Sequence, residues 1–423
     1  MLTAPAPART PVAAWLAGVD RTANGLAVDL GLYLLSAAFA GITALTATLP
    51  PHGAWGRIAT VGYGVATLLV FVQLIARRRW PRLAGTVVRA GLTALTWAAT
   101  CLLPLVVEAS QRAGGRTDRA QEEVVVVEHG ADRLLHTGTP YLGRAAIAAL
   151  PPDDRLLGYL PYQPGMVLFG IPRALAGTHW WSDARVWFAL ATAASVGGAL
   201  VILRRAGASA PALVRAAQAA TVVPVVALTL AVGGDDLPVL GLCLLALACA
   251  ATGRFPLAGV AVGAAGALKL FAWPVALVLL ALAVVRRRGV RFALGAFGLP
   301  VLSLVPAFLV DAGAAVENVL RFPLGRGLVR SPAESPFPGH LIANGLPGGR
   351  VIAAILLVLA GLAIAAWLVR RPPRDAGAAA LICAVGLLAA TLLMPATRFG
   401  YLLYPIGYAV WAPALRIGRT LEG

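Results

Sequence analysis

The sequence predicts an all-α, polytopic membrane protein of about 12–13 transmembrane helices. Three observations predict it. Of 423 residues, 59% are hydrophobic and 13% charged, whereas a soluble domain carries roughly 25% charged residues. The apolar residues fall in long blocks, at roughly 28–49, 57–76, 84–107, 183–203, 211–232, 237–252, 256–271, 272–286, 292–310, 350–369, 376–395 and 399–415. Between these blocks the arginines cluster in short segments, "ARRRWPR", "LRR", "VVRRRGVR" and "VRRPPR". That is the positive-inside pattern of cytoplasmic loops. Because the net charge of +17 is spread over such corners, it excludes nucleic acid as a partner and leaves membrane lipid as the surroundings.

In chain order, residues 1–25 are Ala/Pro-rich with Arg9 and Arg21 and read as a disordered cytoplasmic tail. The first apolar block begins near Leu26, too far in and too long for a cleaved signal. With the arginine clusters in the cytoplasm, 26–415 forms a single transmembrane domain of twelve spans, and 416–423 is a second cytoplasmic tail. Segments 108–156 and 311–349 become outer loops, as does the turn "GGDD" at 233–236. One stretch resists this count. "LGYLPYQPGMVLFGIPRALAG" (157–177) is apolar but holds Pro161, Pro164 and Pro172. Proline removes a backbone donor that lipid cannot replace, so this stretch is either re-entrant or a thirteenth span. The four cysteines all lie in apolar blocks, with neither metal-ligand spacing nor a disulfide framework.

The first outer loop contains "QEEVVVVEHGADRLLHTGTPYL" (121–142). At 100° per residue, Val124, Val127, Ala131, Leu134 and Leu135 share one face; Glu128, His129, Asp132, Arg133 and His136 share the other. This predicts an amphipathic helix on the membrane surface, ended by the turn "GTPY". Glu122 falls with the polar residues, but Glu123 falls at the edge of the apolar face. A carboxylate there needs a partner or a function, and its pKa tends to rise. The alternative is a frayed helix start with Glu123 in water.

Lys269 is the only lysine in the chain, set in the apolar run "AVGAAGALKLFAWPVALVLL". An ammonium at the centre of a spanning helix costs about 2.5–3.5 kcal/mol. Near a helix end it snorkels at little cost. Lys269 lies near the outer end of its block, so its expected fates are snorkelling, pairing with Asp235 or Asp236, or pairing with a substrate phosphate. Further outer cations are Arg321, Arg326, Arg330 and His340 in 316–341, and Arg398 beside Phe399, Tyr401 and Tyr404 in "PATRFGYLLYP". Arginine on the outer side runs against the positive-inside trend, and together with Lys269 these residues outline a basic, aromatic-lined outer cavity.

At these residues the chain resembles the integral-membrane glycosyltransferases of the GT-C fold, most closely glycosyltransferase family 87. The resemblance rests on three segments. The first is the loop acid, amphipathic helix and "G-x-P-Y"-like turn, with the acidic position at Glu123. The second is "YLPYQPGMVLFGIPRAL", a "PY-x-PG" segment opening a helix. The third is "GGDDLPVLGLCLLALACAATGRFPLAGVAVGAAGALKLFAWP", ending on Lys269. The match covers roughly 120–275, and the C-terminal part resembles the family only as apolar helices with a basic outer loop. One departure is a glutamate beside a second glutamate where the family usually has aspartate.

The resemblance implies transfer of a sugar, mannosyl or arabinofuranosyl in the known members, from a polyprenyl phosphate to an acceptor hydroxyl of an envelope glycan or glycolipid. It implies a bacterial plasma membrane with the active site facing outside, and inversion at the anomeric carbon. Glu123 then serves as base, with Glu122 in reserve. Lys269, Arg398, Arg321 and His340 stabilise the lipid phosphate. Asp235 or Asp236 holds a sugar hydroxyl or orients Lys269, and Tyr401 lines the donor site. On this reading, replacing Lys269 by alanine weakens donor binding more than folding. No nucleotide motif appears, no metal site is assigned, and the acids are too scattered to argue for a divalent ion. A transporter or lipid flippase and a non-catalytic envelope scaffold are the rival readings. Convergence of Lys269, Glu123 and Arg398 on one outer cavity separates the transferase from a transporter with a midplane site.

Overall fold

The computed structural model describes Gly18 and residues 22–417. The expected tails 1–25 and 416–423 fall largely outside the described residues. Within them, every apolar block of the sequence is helical. The helices are α1 (Leu26–Thr46), α2 (Pro50–Ala76), α3 (Thr86–Ala113), α4 (Glu122–Thr137), α5 (Pro164–Ala176), α6 (Ala184–Arg205), α7 (Ala210–Thr221) and α8 (Pro224–Val232). They continue as α9 (Asp236–Ala251), α10 (Phe255–Leu268), α11 (Ala272–Val285), α12 (Gly289–Arg321), α13 (Pro338–Gly345), α14 (Gly349–Arg370), α15 (Ala376–Leu393) and α16 (Leu403–Trp411). The hairpin α1–α2 leans on α3. Helices α6, α9, α10 and α12 pack in succession, and α14–α16 close the bundle, with α16 returning to α7.

The helices come in two lengths. Among the described residues, seven are long and apolar enough to cross a bilayer: α1, α2, α3, α6, α12, α14 and α15. The pair α7–α8, bent by 43°, makes an eighth if read as one span. Helices α9, α10 and α11 hold only 16, 14 and 14 residues. At 1.5 Å per residue they reach roughly 21–24 Å, short of a hydrocarbon core about 30 Å thick. Twelve apolar blocks therefore do not make twelve full-length spans. The 157–177 stretch is not a thirteenth: α5 is too short to cross and packs against α4.

Close approach of α10 to α12 depends on Gly259 and Gly263. A Cβ at either would lie 2.2 Å from the Phe292 carbonyl oxygen or 2.1 Å from that of Gly295, the small-residue contact that membrane helices use. Helix α12 breaks at Asp311 (φ −151°, ψ 91°), whose Oδ1 accepts from the Ala314 amide at 2.8 Å and restarts the helix.

The amphipathic helix α4 is present, and protein covers most of its apolar face, leaving Leu135 exposed. Its Val124, Val127 and Ala131 are fully buried against protein. Glu128, expected on the solvated face, is buried as well. Arg112 donates to both its oxygens at 2.8 and 2.6 Å, and Arg173 lies 3.1 Å from Oε2. The helix ends at Gly138, in the left-handed region at φ 76°.

Candidate active site

Lys269 caps the C-terminus of α10 in extended backbone, which turns its side chain across the N-terminus of α9. There Nζ donates to Asp235 Oδ2 at 2.7 Å and Asp236 Oδ1 at 2.6 Å. Tyr404 of α16 donates to the same Asp236 oxygen at 2.7 Å. The Lys269 ammonium lies 5.1 Å from the ring centre of Tyr162, 5.5 Å from that of Tyr401 and 5.8 Å from that of Phe271, within cation–π range. Lys269 is 7% exposed, so it does not snorkel. Nor does it present an open ammonium to a phosphate. Two carboxylates surround one amine, and the cluster carries net negative charge when all three groups are ionised.

The turn that delivers Asp235 and Asp236 needs its glycines. Gly234 sits at φ 90°, and a Cβ there would meet Phe188 of α6 at 2.8 Å. On the other side, the PY-x-PG segment docks on the end of α10 through the Gln163 amide, which donates to the Leu268 carbonyl at 3.1 Å. This places Tyr162 beside Lys269.

Glu123, in the first turn of α4, pairs through Oε1 with Arg398. Arg398 is held by its neighbours. Thr397 bridges Glu334, its amide donates to the Ala333 carbonyl at 3.0 Å, and the Ser335 amide donates to the Thr397 carbonyl at 2.9 Å. Residues 333–335 thus hold Arg398 against the start of α4. The other Glu123 oxygen, Oε2, is buried with no hydrogen-bond partner among the described residues.

Two cavities meet at this ion pair. The larger, about 970 Å³, runs along α1 and α8 past Leu32, Phe39, Val225 and Leu228, and ends at His52, Glu122, Glu123, Asp235, Asp236 and Arg398. The smaller, about 290 Å³, is walled by Tyr159, Tyr162, Phe271, Phe322 and Tyr401, with Lys269 at its edge. Glu122, Glu123, Arg398 and Tyr401 line both. Tyr159 stacks on Phe322 at 4.2 Å and donates to Glu317 Oε1 at 2.9 Å. Burial, then Glu317, raises its phenol, so it stays a donor.

Of the residues singled out in the sequence, Glu122, Glu123, Asp235, Asp236, Lys269, Arg398 and Tyr401 therefore converge. Arg321 and His340 do not line either cavity. Arg321, mostly exposed, lies 3.5 Å from Glu317. His340 faces the Pro395 carbonyl at 3.1 Å and Asn344. Sequence reading missed His52, whose Nε2 lies 2.9 Å from Gln121 Nε2, and Tyr162 and Phe271. It also missed a buried ion network behind the site, in which Asp183 accepts from Arg185 at 2.9 Å and from Arg112 at 3.0 Å. Burial alone would raise the Asp183 carboxyl, but the Arg185 and Arg112 guanidiniums outweigh it and hold it below the usual carboxylate range.

The convergence lies at one end of α9 and α10, while Arg254 and Arg286–Arg288 flank the opposite ends of α10 and α11.

Two crystal structures of ArnT from Cupriavidus metallidurans, one in the apo state and one bound to undecaprenyl phosphate, are similar to this chain. Each is 18% identical with a TM-score of 0.47, covering 77% and 76% of this chain respectively. The chain spans 59% of the length of those proteins, and a similarity of that size assigns no activity. No protein of curated function matches. The family model of glycosyltransferase family 87 matches residues 159–395, more than half of the chain. That range takes in the aspartate turn, Lys269 and Tyr159, Tyr162, Phe271 and Phe322 of the aromatic wall, and stops short of Glu123, Arg398 and Tyr401. A polytopic helical protein with this match belongs to glycosyltransferase family 87.

Proposed function

We propose that the protein transfers a sugar from a polyprenyl phosphate to an acceptor hydroxyl, at the membrane face opposite its arginine corners. The observation that carries this reading is Glu123 at the boundary of the two cavities, with one oxygen on Arg398 and the other buried and unpartnered. An acceptor-only group in that position is a base waiting for an O–H.

The larger cavity suits the donor. Its flank is made by helices whose Leu35 and Phe39 face outward at 72% and 43% exposure, so an isoprenoid chain enters from the lipid side. The phosphate then comes to Arg398 and His52 at the polar end. The smaller cavity suits a sugar ring, because the aromatic faces of Tyr159, Tyr162, Phe271 and Tyr401 stack on the C–H faces of carbohydrates. Short α9–α11 lower this end of the bundle roughly 6–9 Å below the level of a full span. A lipid phosphate is reached there without leaving its leaflet.

In the reaction, the acceptor oxygen attacks the anomeric carbon as Glu123 Oε2 takes its proton. The bond from that carbon to the phosphate oxygen breaks, and its electron pair leaves with the polyprenyl phosphate. Arg398 meets the developing charge. One displacement gives inversion. Lys269 has a different task from the phosphate contact the resemblance implied: it pairs with Asp235 and Asp236 and fixes the turn at the end of the larger cavity.

The test is to incubate the purified protein with a panel of polyprenyl-phosphate sugars and candidate acceptors and to measure free polyprenyl phosphate. The expected result is acceptor-dependent release from at least one donor. No release from any donor, together with movement of labelled lipid between leaflets of reconstituted vesicles, would replace the transferase by a flippase.

A further inference from the structure

Arg185, at the start of α6, is fully buried. Its guanidinium donates to Asp183 through Nε and Nη2, both at 2.9 Å. Nη1 donates to two backbone carbonyls: that of Arg119 at 2.7 Å and that of Ala231 at 3.1 Å. Glu108 Oε2 lies 3.4 Å from the same nitrogen. The two carbonyls belong to different parts of the candidate site. Arg119 lies four residues before Glu123, in the turns and bends that lead into α4. Ala231 lies four residues before Asp235, at the end of α8. Between them, the Gln121 amide donates to the Val232 carbonyl at 2.9 Å. One turn further along α6, Phe188 packs against Gly234.

We propose that Arg185 is a positioning residue that sets the separation between the Glu123 carboxylate and the Asp235–Asp236 turn. Its planar fork is what lets one side chain hold an ion pair and two carbonyls at once. A lysine keeps the charge toward Asp183 but has no rigid fork to span both backbone segments. In this account the first turn of α6 acts as a template: Asp183 fixes the fork, the fork fixes two loops, and Phe188 seats the glycine turn. The catalytic consequence rests on the reading of Glu123 as base; the structural link does not.

The experiment exploits a second distance. A Cβ built on Gly233 lies 3.8 Å from the Gln121 Cβ, the mean separation across a disulfide. Full-length protein carrying Gln121→Cys and Gly233→Cys is prepared with Arg185 intact and with Arg185→Lys, and the rate of oxidative crosslinking is measured. Single Arg185→Lys is assayed for kcat and for KM of donor and acceptor. Arg89→Lys is the control, since Arg89 holds Asp29 in a comparable buried pair at the far end of α1. We expect Arg185→Lys to slow crosslinking at least fivefold. It should lower kcat at least 30-fold with donor KM within threefold, and oxidation of the cysteine pair in the Arg185→Lys background should restore part of kcat. Arg89→Lys should leave kcat within twofold at a similar loss of thermal stability. Equal crosslinking rates with and without Arg185 overturn the proposal. So does slowed crosslinking with unchanged kcat, or a kcat loss that Arg89→Lys reproduces. Should the wild-type protein turn over no donor, the functional reading fails, and the crosslinking rates alone decide whether Arg185 sets the separation.

Discussion

Lys269 and Glu123 sit at the same end of the bundle and each is paired with an opposite charge, yet the two clusters are built differently. The Lys269 cluster is saturated. Its amine reaches two carboxylates, one of which also accepts from Tyr404, and all of these groups are buried. The Glu123 pair is open. Arg398 is 29% exposed, Glu123 keeps an oxygen without a partner, and both residues face two cavities. A saturated buried cluster resists change, and an incomplete one has capacity left for a substrate. The difference separates a scaffold for the site from its chemistry.

The comparison can be broken most forcefully at Lys269. In Lys269→Met two carboxylates are left without their cation, and breaking a buried pair in this way costs about 3–5 kcal/mol. We expect a large drop in unfolding midpoint in detergent, mostly recovered by adding Asp235→Asn and Asp236→Asn. Unchanged stability with lost donor binding would instead restore the amine as a phosphate ligand, the role that the family resemblance implied.

That reversal shows what the sequence made legible. Apolar blocks and arginine corners were enough for a polytopic helical protein, because hydropathy is a local property. Lys269 stood out through its rarity, and Asp235 and Asp236 through their place in a turn. What sequence could not show is which of several charges meet. The order of Glu123, Asp235, Lys269 and Arg398 along the chain says nothing of their distances. Arg321 and His340 looked equivalent to Arg398 but have other partners. Span length was also misleading. Residues 237–252, 256–271 and 272–286 read as separate crossings, yet each yields a helix of 14–16 residues. The ion network of Glu108, Arg112, Glu128, Asp183 and Arg185 was invisible because charges at block edges look like ordinary flanks.

The next largest effect is expected in that network. Asp183→Asn removes a carboxylate from between Arg185 and Arg112, at a cost of about 2–3 kcal/mol. Because the Asp183 pKa is depressed in the folded protein, its stabilisation is fully present above the unfolded value of about 3.9. It is lost only as pH falls further, through the folded pKa. The stability gap between wild type and Asp183→Asn should stay constant from neutral pH to about 5 and shrink below about 4. A gap that closes above pH 5 would contradict this.

The open cluster gives a smaller and different signature. Arg398→Gln removes a charge-assisted contact of about 1.5–3 kcal/mol. It should raise donor KM or lower kcat by roughly 10–100-fold while the protein remains folded by thermal shift. Smallest is Phe271→Ala in the aromatic wall. A loss of ~1.4 kcal/mol of ring contact should raise acceptor KM about tenfold and leave donor KM unchanged. A donor effect there would exchange the roles of the two cavities.

Release of polyprenyl phosphate in a single turnover, compared among wild type, Glu122→Gln and Glu123→Gln with donor and acceptor saturating, tests the central assignment most directly. Wild type and Glu122→Gln should both release it, and Glu123→Gln should be slower by roughly 10²–10⁴-fold while still retaining donor. Release by Glu123→Gln at the wild-type rate would show that this carboxylate takes no proton in the reaction.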